Sequence, residues 1–332
     1  MLAASLQFAI SAAVVVFGGI ILTRCADAIA DRTDLGRLLV GSVFLAAATS
    51  LPELSVDLSA VWNGMPDLAV GDLMGSSLFN LAILAALDLT RRAGGRMFSH
   101  MSAAHALSGA MSITLLALAA VGLQLRDGIN MAGMDLVILA ILGAYLLGLR
   151  LVYYDQQFAV RHAAGSAGEV LVPAGRLTLR SAIAGYVLSA AVIIVAAPFL
   201  TDAAGKLAEA TGLGDTFVGT TLVALSTSLP ELVATGTAVR MQAFDLAIGN
   251  IFGSNAFNMA LLFPLDLAQP GSLMAAVSPT HAVTCTAAVL ITAVAIMGQL
   301  YRSEKRRHLL EPGAALILVL VVAALVVVYY HR

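Results

Sequence analysis

The sequence predicts an all-α polytopic membrane protein: ten transmembrane helices arranged as two inverted five-helix repeats. Three observations lead there. The 332-residue chain is 60% hydrophobic and only 11% charged, whereas about a quarter of the residues in a soluble domain are charged. Its apolar residues gather in ten segments, most of them near the ~20 residues that a spanning helix needs. These segments lack the apolar–polar alternation of a membrane β-barrel. Finally, residues 41–89 align without a gap on residues 219–267, at a constant offset of 178, with 23 identities in 49 positions.

The first segment, Leu6–Ala30, lacks the basic start and small-residue cleavage site of a secretory signal, so it reads as a span. Leu38–Trp62 and Leu68–Leu89 follow and carry the first copy of the repeat. Ala103–Leu123 and Met134–Tyr154 complete a first half, residues 1–155. Residues 156–180 form a cytoplasmic linker of Gly, Ser, Pro and scattered charges. It is too short for a folded regulatory domain, since compact domains start near 50 residues. The second half, 181–332, holds Ile183–Ala208, Val218–Val239, Phe244–Leu267, Ala276–Leu300 and Ala314–Tyr330. The repeat pairs the second span with the seventh and the third with the eighth. Five spans separate each element from its mate, and an odd number turns the second half over, which predicts a pseudo-two-fold axis in the membrane plane.

Positive charge sets the direction. Assigning alternate loops to two sides puts 15 of the 18 Lys and Arg residues on one side and leaves Arg126, Lys206 and Arg332 on the other. The first side is then cytoplasmic and both termini lie outside. The formal charge of −2 comes with no basic run suited to nucleic acid, and Lys305–Arg307 reads as a topology anchor. Cys25 and Cys285 are too few for a disulfide framework and read as packing residues. No protease-like acid pair, His-metal motif or nucleophile–His arrangement points to an enzyme. The expected partners are inorganic cations and the lipid bilayer, with no cofactor.

The repeated motif carries the chemistry. The first copy reads ATSLPEL, Ala48 to Leu54, then GSSLFN, Gly75 to Asn80; the second reads STSLPEL, Ser226 to Leu232, then GSNAFN, Gly253 to Asn258. A carboxylate at membrane depth is costly and should face protein or a water-filled cavity, which makes Glu53 and Glu231 the primary candidates. A proline removes a donor and clashes with the carbonyl four residues earlier. Pro52 is therefore expected to open the turn at Ala48, and Pro230 the turn at Ser226. Thr49, Ser50, Thr227 and Ser228 add hydroxyls. Ser76 and Ser254 lie four residues before Asn80 and Asn258, so each pair shares a helix face. The inventory is all oxygen, which suits a hard cation such as Ca²⁺ with its 6–8 oxygen ligands; softer metals want Cys or His. The histidines at 100, 105, 162, 281, 308 and 331 have no ligand spacing.

These motifs resemble the α-repeats of the calcium/cation antiporter superfamily, best known for Na⁺/Ca²⁺ exchangers, across nearly the whole chain. The resemblance implies exchange of Na⁺ for Ca²⁺ by alternating access. It implies that Glu53 and Glu231 ligate Ca²⁺ together with the carbonyls of Thr49 and Thr227. Sodium would use the same glutamates with the hydroxyls of Ser50, Ser76, Thr227, Ser228 and Ser254 and the carbonyls of Ala46 and Ala224. The first and sixth spans would be a sliding gate. Three positions depart from the family pattern: Asn258 stands where many sodium-coupled members carry Asp, Ala48 and Ser226 replace a glycine, and Asp72 replaces the Asn kept at Asn250.

Asp57, four residues beyond Glu53 on the same helix face, and Asp72 are secondary candidates. Asp57 could restore the charge absent at Asn258 or titrate as a proton site. Coupling of Ca²⁺ or Mg²⁺ to H⁺ on the same fold is therefore the nearest alternative, and a passive cation channel is a more distant one. Asp67 and Asp245 are expected to cap helices; Asp88 and Asp266 are repeat mates close to span ends, and Asp88, just before Arg91 and Arg92, is expected to be an interfacial anchor.

Overall fold

The computed structural model describes residues 1–33, 35–90, 103–125, 130–131, 134–166, 177–210, 225–300 and 313–330. Their long helices, in chain order, are α1 (Leu2–Arg32), α2 (Arg37–Trp62), α3 (Pro66–Thr90), α4 (Ala103–Leu125), α5 (Leu136–Ser166), α6 (Leu179–Ala210), α7 (Leu229–Arg240), α8 (Phe244–Ala268), α9 (His281–Leu300) and α10 (Ala314–Tyr330). Eight of them contain a stretch long and apolar enough to cross a bilayer, and α10 is a shorter apolar helix. The expected seventh span, Val218–Val239, is described only from Leu225 onward. A two-residue ladder, β1 (Asn130–Met131) with β2 (Met134–Asp135), precedes α5.

The linker begins later than its polar composition suggests. The helix of the fifth span runs on to Ser166, and α6 starts at Leu179. Residues 155–164 contain neither Gly nor Pro, so nothing local stops a helix whose backbone bonds are already satisfied internally. The central part of the expected linker, 167–176, lies outside the described residues.

The two copies of the repeat each form a helical hairpin, α2–α3 and α7–α8. Their turns use a left-handed residue at equivalent positions, Gly64 with φ 74° and Gln242 with φ 61°. Glycine adopts that conformation freely, whereas a side chain there costs about 1–2 kcal/mol.

Helix α8 is the most enclosed of the spans, and it packs against α2, α3, α4, α5 and α7. Its closest neighbour is the first part of α2, which includes a π-helical stretch, Val40–Leu45. A Cβ added at Gly249 would meet the Leu38 carbonyl oxygen at 2.7 Å, and one at Gly253 would meet the Ser42 Cα at 2.5 Å. Small residues four apart let two membrane helices approach this closely. Helices α1 and α6 pack chiefly on each other, beside this centre. Gly18 meets Ile193, and Gly185 leaves room for Cys25. Tyr186 of α6 donates to the Phe44 carbonyl in the π stretch at 2.5 Å, which ties the α1–α6 pair to the core. The thiols of Cys25 and Cys285 are free and buried.

Candidate cation site

The two copies of the motif do not treat their prolines alike. Helix α2 runs unbroken through Pro52 from Ala46 to Trp62, so the expected opening at Ala48 does not occur. The irregular backbone lies upstream, in the π stretch, where Tyr186 donates to the Phe44 carbonyl. In the second copy the helix breaks. Ser228 (φ −85°, ψ 5°) caps α7, and Pro230 falls in its first turn, where a missing N–H costs nothing. Glu231 therefore sits in the first turn of α7, and the positive end of the helix dipole favours its carboxylate.

The carboxylates are bound across elements. Ser76 Oγ of α3 donates to Glu53 Oε1 at 2.8 Å, and Ser50 Oγ of α2 donates to Glu231 Oε1 at 3.0 Å. Glu53 and Glu231 are 1% and 0% exposed and close enough to act on each other electrostatically. Around them the repeat equivalence is retained. Thr49 Oγ1 lies 3.5 Å from Asn250 Oδ1, and Thr227 Oγ1 lies 3.5 Å from Asp72 Oδ1. Asn80 Nδ2 donates to Asn255 Oδ1 at 2.9 Å, and Asn255 Nδ2 donates to the Ser77 carbonyl at 3.1 Å. The Asn255 amide thus joins the two halves.

Several oxygens are left over. Among the described residues, Glu53 Oε2, Glu231 Oε2, Asn80 Oδ1, Asn258 Oδ1, Ser228 Oγ and Ser254 Oγ are buried and have no hydrogen-bond partner. Each such group costs about 1–3 kcal/mol, so six of them within the two motif copies need a ligand or a function. Among the described residues no three His, Cys, Asp or Glu side chains form a chelating cluster. An ion here would depend on two carboxylates supplemented by neutral oxygens. Ala46 is fully buried, and its carbonyl already accepts the Thr49 hydroxyl at 3.2 Å. Ala224, the expected mate, lies outside the described residues. Of the secondary candidates, Asp57 is 1% exposed and Asp72 is half-buried.

Two acids expected to be helix caps do something else. Asp67 accepts from the Ser278 amide at 2.6 Å and pairs with His281 at 3.0 Å, while its repeat mate Asp245 pairs with His105 at 2.9 Å. The histidines are not in the aligned motif, so the repeat gave no hint of them. Asp266, near the end of α8, accepts from the Leu273 and Asp135 amides.

A bundle of apolar helices enclosing a carboxylate pair and uncommitted oxygens defines a polytopic membrane protein built to handle cations. The chain belongs to the sodium/calcium exchanger protein family, whose model matches residues 4–154 and 181–331. It is 28% identical over 276 residues to the Escherichia coli inner membrane protein YrbG, covering 82% of both chains. Over 90 residues it is 42% identical to the sodium/calcium exchanger MaX1 of Methanosarcina acetivorans, covering 25% of this chain and 26% of that one. Among solved structures it superposes on the sodium-calcium exchanger NCX_Mj with a TM-score of 0.73 at 19% identity, covering 98% of both chains. The protein is thus a membrane cation antiporter of the calcium/cation antiporter superfamily, a family of exchangers, and inorganic cations are its substrates.

Proposed function

We propose that the protein exchanges Na⁺ for Ca²⁺ by alternating access at a site formed by Glu53 and Glu231. The observation that carries this reading is the set of buried, unpartnered oxygens on Glu53, Glu231, Asn80, Asn258, Ser228 and Ser254. Thr49, Thr227, Ser50, Ser76 and the Ala46 and Ala224 carbonyls complete the ligand set. In this reading residues 1–155 and 181–332 are inverted five-helix halves, the linker is cytoplasmic and both termini lie outside. Helices α1 and α6, which pack chiefly on each other, slide over the site and expose it to one side at a time. An empty site leaves two carboxylates repelling each other at low dielectric, so crossing requires bound cations, and this enforces exchange. Each net charge moved inward gains about 2.3 kcal/mol per 100 mV, which helps to expel Ca²⁺ from a cell that is negative inside.

The test is Ca²⁺ uptake into proteoliposomes driven by either a Na⁺ gradient or a pH gradient. Sodium drive, abolished in Glu53→Gln and in Glu231→Gln, is the expected result. Uptake driven only by the pH gradient would replace Na⁺ with H⁺, the coupling that Asn258 and Asp57 suggest. Flux without any counter-ion would mean a channel. Unchanged flux in either Gln variant would remove the site.

A further inference from the structure

The register of the two hairpins sets a second layer of side chains beside the central one. The Ser76–Glu53 bond fixes how α3 lies against α2. Four residues onward along α2 is Asp57, and four residues back along α3 is Asp72, so these two occupy the adjoining layer, nearer the 63–65 turn. The second hairpin has the equivalent layer at Thr235 and Asn250, and there the pair is closed: Asn250 Nδ2 donates to Thr235 Oγ1 at 3.0 Å. The first hairpin has two carboxylates where the second has a hydroxyl and an amide. Ionised carboxylates only accept hydrogen bonds and cannot satisfy each other.

Among the described residues nothing else resolves the conflict: the charge acting on Asp57 is that of Asp72, and no cationic side chain acts on either one. Asp57 is 1% exposed, and among the described residues its buried Oδ2 has no partner, nor does Asp72 Oδ2. Asp72 Oδ1 meets the Thr227 hydroxyl from the other half.

We propose that Asp57 and Asp72 bind a monovalent metal cation of the Na⁺ class, in a station one helical turn from the Glu53–Glu231 centre. Two carboxylate oxygens and the neighbouring Thr227 are fewer donors than the 6–8 that Ca²⁺ collects, so Ca²⁺ prefers the centre. The station exists on one side only, because the equivalent layer at Thr235 and Asn250 is neutral and already bonded. The two approaches to the centre therefore differ in this layer: a cation coming past the 63–65 turn meets the Asp57 and Asp72 carboxylates, and one coming past the 241–243 turn meets the bonded Thr235–Asn250 pair. This inference rests on the two-glutamate reading of the centre.

Equilibrium binding of ²²Na⁺ and ⁴⁵Ca²⁺ to the purified full-length protein tests it. The variant Asp57→Thr/Asp72→Asn gives the first hairpin the pair that the second already tolerates. It should bind one fewer Na⁺ per chain. Asp57→Asn, which keeps the side-chain shape, should show the same loss if the double variant is poorly folded. Glu53→Gln/Glu231→Gln should lose Ca²⁺ binding yet keep the Na⁺ that the aspartate variants lose. An unchanged Na⁺ count in the folded aspartate variants overturns the station, and so does loss of Ca²⁺ binding in them with no loss of Na⁺. Retained Ca²⁺ binding in the glutamine variant would instead overturn the central site, so the two failures are distinct.

Discussion

Gly75 and Gly253 occupy the same position in the repeat, and an alanine at each should have opposite effects. In a helix, Gly→Ala gains about 1 kcal/mol from propensity at both places. At Gly75 an added Cβ meets nothing within 4 Å, so Gly75→Ala should be neutral or stabilising by up to that amount. At Gly253 the Cβ would lie 2.5 Å from the Ser42 Cα and 2.7 Å from its carbonyl carbon. Those are backbone atoms in a buried helix, and no rotamer change relieves them, so α2 and α8 must separate. Overpacking costs about 1–3 kcal/mol, and an unyielding backbone puts this case near the top, for a net loss of about 1–2 kcal/mol after propensity. The separation also shifts the adjacent Ser254, one of the proposed ligands. Thermal unfolding in detergent, followed by size-exclusion chromatography of heated samples, measures the first effect, and Ca²⁺ flux in proteoliposomes the second. Gly253→Ala should melt earlier than wild type and transport less, with Gly75→Ala at or above wild type in stability. Equal shifts in the two variants would refute the close packing of α2 on α8.

Ser50→Ala and Ser76→Ala each remove a hydrogen bond to a buried carboxylate. Such bonds contribute about 1.5–3 kcal/mol, so Ca²⁺ affinity should change by about 10- to 100-fold in ⁴⁵Ca²⁺ binding, and unchanged affinity would place the ion elsewhere. Gln242→Gly relieves a left-handed side chain and should stabilise the protein by about 1 kcal/mol, whereas Gly64→Gln should cost a similar amount. Tyr186→Phe removes the donor to the Phe44 carbonyl and should lower stability by about 1 kcal/mol; melting at the wild-type temperature would mean that the π stretch does not need it. Asn255→Ala breaks the amide bridge to Asn80 and Ser77 and should destabilise more than Ser77→Ala, whose hydroxyl serves only its own helix.

Much of the centre was legible in the sequence because its signals are local. Glu53 and Glu231 stand out since a carboxylate within an apolar run needs a reason, and the fixed offset of 178 made them mates. Ser76 with Asn80, and Ser254 with Asn258, could be grouped by helix periodicity alone. Only Pro52 was misread, for an equally physical reason: identical Leu-Pro-Glu segments give a continuous helix at Pro52 and the expected interruption beside Pro230. A proline disfavours the helical bond but cannot say whether the preceding turn will find other partners.

The sequence by itself determined the class, the repeat and the oxygen-rich chemistry, because hydropathy, helix period and covalent spacing are properties of single segments. The tertiary structure alone decided which hydroxyl serves which carboxylate, which glycine is indispensable and which aspartate layer is left unbonded. Those outcomes depend on faces of helices nearly 180 residues apart, and a segment encodes its own face but not the one that packs against it.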